Sequence, residues 1–254
     1  MSTIAVASGK GGVGKSTIAL NLALALSDQG RRVGLLDADL YGPDIPRMIG
    51  LARTKTARYI DLWSATPEKT EALEAFGIRF MSAGFLVAEN QSLALESVLV
   101  DALLAWLTRG IDWGELDDLI IDLPPGTADL QQQLMKRVTL DGVLLVVTPQ
   151  DVAHLDAKKV LDLCQRMSVR VIGGVENMAG LVCPTCDERI DVFPRVSHER
   201  SIWTTGVSKL VEIPLDPEVA RAGDEGRPLL VSHPASPQVA ALRTLAQRLT
   251  RVES

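Results

Sequence analysis

Gly9-Lys10-Gly11-Gly12-Val13-Gly14-Lys15-Ser16-Thr17 stands between a short apolar run, Ile4 to Ala7, and a helical pattern, Ser16 to Gln29. The string fits G-x-x-x-x-G-K-[ST] in the strand–turn–helix setting that the pattern needs. Its glycines let successive backbone N–H groups curl around a polyphosphate, and the helix N-terminus adds a favourable dipole. In that arrangement Lys15 reaches the β- and γ-phosphates and the Ser16 hydroxyl ligates Mg²⁺. Gly11, Gly12, Val13, Gly14 and Thr17 complete the expected cradle. A plain tight turn between strand and helix is the competing reading, and the length of the match weighs against it.

The same alternation continues outward from the loop. Val33 to Leu36, Leu119 to Ile121, Val143 to Val147 and Val169 to Val175 are continuous apolar runs, as suits strands buried on both faces of a parallel sheet. Leu93 to Arg109, Leu130 to Arg137 and Ala153 to Met167 read as helices between them. This order predicts βαβ units around one mostly parallel sheet flanked by helices, an α/β P-loop NTPase fold. Pro43, Pro46 and Pro67 break the least regular stretch, residues 40 to 90, within which Ile78 to Ser82 is a further strand candidate. Lys209 to Ile213 reads as a last strand and Pro237 to Arg251 as a last helix. No repeat, linker or charge block divides the chain, so a single domain over 1–254 is expected, with a cysteine-bearing loop near 180–193.

Composition narrows the partners. Lys plus Arg number 26 against 32 for Asp plus Glu, a net charge of −6. That balance argues against affinity gained by neutralising nucleic-acid phosphates. No apolar run approaches the roughly 20 residues that span a bilayer. The first residues read as a strand rather than a secretory leader. Three cysteines do not make a disulfide framework. A cytoplasmic protein with no nucleic-acid partner and no membrane span is expected.

Two further strands end in acids. Leu119-Ile120-Ile121-Asp122 is an apolar strand closed by a carboxylate, followed by Pro124-Pro125-Gly126. Asp122 is placed to hold Mg²⁺, through water, at the carboxyl end of the sheet, and Gly126 to give a backbone N–H to the γ-phosphate. In Leu35-Leu36-Asp37-Ala38-Asp39, Asp39 is the better candidate to orient an attacking water and Asp37 to serve the Mg²⁺ shell. Acids at such positions are also common as caps. Asn177 follows a strand and can pair with an adenine edge, whereas no guanine-reading N-K-x-D string occurs, which favours ATP over GTP.

Cys183-Pro184-Thr185-Cys186 lies in a turn-rich segment just after Glu176-Asn177-Met178. Two thiolates at this spacing converge on one soft metal centre but supply half of a tetrahedral set. Cys164 lies alone in a helical pattern and reads as core. A symmetric dimer would complete the set with two thiolates per chain. A bridging iron–sulfur cluster, a bridging zinc and a redox dithiol are all compatible with the spacing.

The string KGGVGKS resembles the deviant Walker A motif of the MinD/ParA/nitrogenase-reductase group. The resemblance implies that Lys10 reaches across a dimer to the partner's phosphates, as an arginine finger does. Together with DADLYGPDIP, DWGELDDLIIDLPPGTAD, TPQDVAHLDAKK, GGVENMAGLVCPTC and EIPLDPEVARAGDEGRPL, the chain to about residue 230 resembles the Mrp/ApbC family of P-loop ATPases. That resemblance implies a homodimer with two ATP sites and a labile [4Fe–4S] cluster bridged by Cys183 and Cys186 of both subunits. The cluster would be passed to apo iron–sulfur proteins. It also implies that the Pro214 to Pro217 loop, with Pro214 and Asp216, lies near the adenine base. Ala128 departs from the family's PPGTGD, and Arg195 to Gly206 departs from its glycine-rich version of that segment.

Two rival readings follow from the same sequence. One is a ParA/MinD-type positioning ATPase, a nucleotide-dependent dimer switch on DNA or membrane, in which the C-terminal pattern Val239, Leu242, Leu245, Leu249 and Val252, with its arginines, would lie on an anionic membrane. More often such a helix covers a sheet face. A nitrogenase-reductase-like electron donor would need a cysteine near Asp122, and Leu123 to Ala128 has none.

Overall fold

The apolar runs become neighbouring strands because each can be covered on both faces. A computed structural model describes residues 1–51, 69–86, 97–126, 129–183, 185–186 and 188–252. The chain begins β1 (Ser2–Ala7), α1 (Lys15–Ser27), β2 (Val33–Asp37) and α2 (Ile45–Met48). It continues with β3 (Thr70–Glu71), β4 (Leu73–Ala75), β5 (Ile78–Ser82), α3 (Ser97–Arg109) and β6 (Ile111–Asp112). Then come β7 (Asp118–Asp122), α4 (Asp129–Arg137), β8 (Gly142–Val147), α5 (Asp151–Arg166), β9 (Val171–Val182) and β10 (Arg189–Ile190). β11 (Lys209–Leu215), α6 (Pro217–Asp224), α7 (Leu229–Ser232) and α8 (Pro237–Val252) close the chain.

One sheet runs in the order β10-β9-β8-β1-β7-β2-β5-β4, with β11 also pairing β9, and β3 and β6 form a separate ribbon. The central pairings are parallel, and only β4 with β5 and β9 with β10 run antiparallel in the main sheet. Every residue of β2, β7 and β8 is buried. Side chains alternate between two cores: Ile4 and Val6 join α1 and α8, while Ala5 and Ala7 join α3, α4 and α5. Leu20, Leu22, Leu24 and Leu26 on α1 are all buried, since that helix is held between the sheet and α8. At roughly 2 kcal/mol per buried leucine this one helix anchors the loop that precedes it.

The C-terminal helix bears on the membrane alternative. Val239, Leu242, Leu245 and Leu249 are buried against α1 and β11. Arg243 donates to the Pro234 carbonyl and to Asp28, and Arg248 to the Leu210 carbonyl. The apolar stripe therefore covers the sheet and leaves no such face for a membrane. No helix among the described residues is long and apolar enough to cross one.

β9 is longer than the apolar run suggests. It continues through Asn177 to Val182 because β11 pairs along it from Gly174 to Leu181. Met178 sits at φ 57 within it, close to a register shift in β11 between Ile213 and Leu215. Asn177 is thus inside a strand, not after one. The expected helix from Leu93 is described from Ser97 onward, and residues 93–96 lie outside the described residues, as do Pro67, Ala128 and Pro184.

Candidate functional site

Strand register assembles the acidic centre. Asp122 of β7 stands opposite Val6 of β1 and Asp37 of β2, and Asp37 stands opposite Ser82 of β5. Paired residues of parallel strands project to the same face, so both carboxylates meet at the carboxyl end of the sheet. Both are fully buried. Ser82 Oγ donates to Asp37 Oδ2 at 2.8 Å, and the Asp39 N–H donates to Asp37 Oδ1 at 3.3 Å. Burial, followed by the nearby Asp122 charge, pushes the Asp37 carboxyl up to about 8. Burial also pushes Asp122 up, against the pull of Lys15.

Lys15 lies at the start of α1 and is buried with its Nζ 2.5 Å from Asp122 Oδ1. The same ammonium is 3.3 Å from Ser16 Oγ. Lys15, Ser16 and Asp122 therefore come together, but Lys15 faces the acid rather than the cradle above it. Asp122 Oδ2 is buried without a hydrogen-bond partner. A carboxylate oxygen in that condition, next to a serine hydroxyl, suits the water shell of a hard divalent cation.

The loop itself is shaped by close approach. Gly14 has φ 85, and a Cβ there would lie 2.3 Å from Asn177 Nδ2. The Asn177 amide uses that nitrogen to donate to the Val13 carbonyl at 2.8 Å. One amide thus ties β9 to the phosphate loop, and its orientation leaves Oδ1 as an acceptor. An acceptor at this position suits an amino-bearing base better than a carbonyl-bearing one.

Gly11 and Gly12 are exposed, and Val13 is buried beneath them. Three expected contacts are differently engaged here. Lys10 Nζ donates to Gln150 Oε1 of its own chain at 3.3 Å. The Gly126 N–H donates to the Ser8 carbonyl at 2.9 Å, so it is not directed at a phosphate. Asp39 Oδ1 accepts from the Tyr41 and Gly42 N–H groups at 3.2 and 3.1 Å, closing a local turn.

Beside the loop lies a cavity of about 390 Å³ between α1, α2, β11, α6 and α8. Thr17, Asn177 and Pro214 line it; the expected Pro214 to Pro217 loop is instead the end of β11, through Leu215, and the start of α6 at Pro217, with Asp216 between them. Asp216 lines it too, but its Oδ1 accepts from the Glu218 N–H at 2.9 Å and caps α6. Arg47 and Asp224 form an ion pair at the rim, 3.2 Å apart.

The cysteines close the far end of β9. The Cys183 N–H donates to the Glu188 carbonyl at 2.9 Å, making a hairpin with β10. Cys183 is half-buried and Cys186 exposed, and both are free thiols. N–H groups of Thr185 and Cys186 directed at the Cys183 sulfur hold its thiol below the usual range. Val182, Ile190 and Val192 are exposed around the pair. Among the described residues no cluster of three or more His, Cys, Asp or Glu could hold a metal ion. Cys164 is buried in the core, with its thiol pushed up to about 11.

Sequence reasoning missed Ser82 and Gln150. Ser82 lies in no motif and Gln150, though inside the TPQDVAHLDAKK segment, has no role assigned there; each meets its partner only through strand register or a helix start. It also left open the segment Arg195 to Gly206. That segment packs on α5, where the Ile202 N–H donates to Nδ1 of the buried His154 at 3.2 Å.

A family model described as ParA, the NUBPL iron-transfer P-loop NTPases, matches residues 1–250. The chain is 40% identical over 249 residues to the Arabidopsis thaliana protein named iron–sulfur protein required for NADH dehydrogenase, mitochondrial, covering 98% of this chain and 77% of that one. It is 39% identical over 250 residues to the iron–sulfur cluster carrier protein of Aquifex aeolicus, covering 98% and 67%. The nucleotide-binding protein of Archaeoglobus fulgidus, solved in complex with ADP, superposes with a TM-score of 0.74 at 34% identity, covering 93% and 89%.

Proposed function

We infer the function from one premise: the chain belongs to the NUBPL iron-transfer P-loop NTPase family. We propose that it binds and hydrolyses ATP and that it carries an iron–sulfur cluster as cargo, in one domain. The observation that carries the reading is β9. At Asn177 this strand is bonded to the phosphate loop, and one residue past its end it presents Cys183 in a cysteine hairpin.

In the nucleotide half, Ser16 and Asp122 are the residues that would hold Mg²⁺. When bound there, Mg²⁺ supplies positive charge beside the β- and γ-phosphate oxygens. Lys15 exchanges Asp122 for those oxygens when nucleotide enters. Asp37, linked to Ser82, backs the cation side of the site. Asp39, fixed through Oδ1, orients a water for in-line attack on the γ-phosphorus. The bond from that phosphorus to the β,γ-bridging oxygen breaks, leaving ADP and phosphate. Gly126 turns its N–H from Ser8 to the γ-phosphate, and Lys10 leaves Gln150 for the phosphates of a second copy. Catalysis of this kind rests on positioning and electrostatics.

In the cargo half, Cys183 and Cys186 from each of two copies hold a labile [4Fe–4S] cluster, which passes to apo iron–sulfur proteins. Four thiolates are the usual complement for such a cluster. Free thiols, one of them exposed at Cys186, suit the cytoplasm, where they stay reduced. The covered face of α8 removes the main support for a membrane-positioning role.

Anaerobic reconstitution with iron and sulfide tests the proposal, with visible absorbance, iron content and oligomeric state as readouts. The expected result is a cysteine-dependent absorbance, about four irons per dimer, and loss of both in the C183A/C186A double variant. A colourless protein that takes zinc instead, or a cluster retained without both cysteines, overturns the carrier reading.

A further inference from the structure

Among the described residues bordering the cavity beside the phosphate loop, one side chain has a buried oxygen without a hydrogen-bond partner. Gln238, in the first turn of α8, borders the cavity and is 4% exposed. Its Oε1 is buried and has no hydrogen-bond partner. An unpaired amide oxygen in such a place costs about 1–3 kcal/mol, so it invites a ligand that completes it.

Among the other polar side chains bordering the cavity, which include Thr17 and the exposed Asp44, the following are engaged in whole or in part. Asn21 donates to the Thr17 carbonyl at 2.9 Å and accepts from the Leu230 N–H at 3.1 Å. Asp216 caps α6, and Arg47 and Asp224 pair at the rim. Asn177 has its nitrogen committed to Val13 and offers Oδ1 alone. Gln238 is different: the terminal torsion of a glutamine is broad and roughly two-fold, so either amide atom can face the cavity. Oxygen and nitrogen together match the amino group and neighbouring ring nitrogen of adenine, as glutamine and asparagine do in reading that base.

We propose that Gln238 is a specificity-determining residue for the nucleotide base: its amide pairs with the adenine edge from the side opposite the phosphate loop. This rests on the ATP reading of the site above, and it gives a polar role to α8 in a cavity whose other walls are α1, α2, β9, β11 and α6. The base then receives a fixed acceptor from Asn177 and an adaptable amide from Gln238.

The test compares wild type with Gln238→Leu and Gln238→Ala in three measurements: ATP affinity, inorganic tripolyphosphate affinity and urea stability without nucleotide. Leucine removes the unpaired oxygen while keeping most of the side chain's volume. The expected result is crossed. ATP binds about tenfold more weakly, equivalent to about 1.4 kcal/mol, and tripolyphosphate binds unchanged. Gln238→Leu is at least as stable as wild type, because burying apolar surface in place of an unsatisfied amide is neutral or favourable. Full-strength ATP binding by Gln238→Leu overturns the role of Gln238 alone. Parallel loss of ATP and tripolyphosphate affinity overturns it as well, by showing a general distortion of the site. A wild type that binds tripolyphosphate but does not prefer ATP over it refutes the base-pocket reading and this inference with it.

Discussion

Replacing Lys15 by alanine probes the ion pair at the centre of the site. Lys15 Nζ is 2.5 Å from Asp122 Oδ1, and the side chains are 6% and 0% exposed. Asp122 is also beside Asp37 in register, with Asp39 near enough to add to its load. Removing the cation leaves buried carboxylates without compensation, for which about 3–5 kcal/mol of destabilisation is expected. The loss depends on pH in a definite sense. Lys15 is a charge that lowers the pKa of both Asp37 and Asp122, so its removal raises both folded values further above the unfolded value near 3.9. A carboxyl raised on folding binds extra protons in the folded state, and its contribution to stability falls as pH rises through that window. The deficit of K15A should therefore be small near pH 5 and reach its full size above pH 8. The assay is urea unfolding of nucleotide-free protein, followed by tryptophan fluorescence, on K15A, D122N and the double variant. The double variant should be more stable than the two single losses predict, with a coupling of about 2 kcal/mol. A deficit under about 1 kcal/mol at pH 8, a deficit independent of pH, or additivity within about 0.5 kcal/mol would each refute the reasoning.

Gly14→Ala should cost about 1–3 kcal/mol and weaken ATP binding, since φ 85 and the Asn177 amide leave no room for a Cβ; a nucleotide titration matching wild type would count against this. Among the described residues the Lys10 ammonium has one hydrogen bond, to Gln150 at 3.3 Å, so Lys10→Ala should change stability by less than about 0.5 kcal/mol. Phosphate release by that variant should nonetheless fall by about a hundredfold or more, and unaltered turnover would remove Lys10 from the chemistry. Burial, with Lys209 and Lys158 nearby, pushes His154 down to about 4. A histidine depressed on folding binds fewer protons than in the unfolded chain, so stability should decline as pH falls from about 6.5 to about 4, by about 3 kcal/mol at 1.36 kcal/mol per unit. An imidazole titrating near 6.5 by NMR would contradict the placement.

Much of this was legible in the sequence because strands buried on both faces cannot hide their composition. Val143 to Val147 and Leu119 to Ile121 are strands as read, extended by one or two residues at their ends. The phosphate loop was legible because glycines at Gly12 and Gly14 serve positive φ and nothing else explains them together. β9 was underestimated because its apolar run stops at Val175, while the strand that extends it, β11, lies some thirty residues downstream. Asp216 illustrates a signal present but passed over. An acid followed by Pro217 is a helix-start pattern, and the carboxylate caps α6 accordingly. The engagement of Gly126 with Ser8 and of Lys10 with Gln150 has no trace in local sequence, since both contacts join segments brought together by the sheet. Gln238 was invisible for the same reason: only the packing of α8 over α1 sets it beside the cavity.

The left-handed residue inside β9 has a mechanical consequence. From Met178, at φ 57, to Cys183 is five residues, a lever arm of about 16 Å at about 3.3 Å per residue. A rotation of about 10° at that pivot carries the thiol about 3 Å by the same geometry. Metal–ligand distances tolerate only about 0.2 Å. Under the proposed carrier function, the grip of the cysteines on a shared centre would be geared to the angle of the strand, and the fulcrum lies next to Asn177, which bonds the phosphate loop.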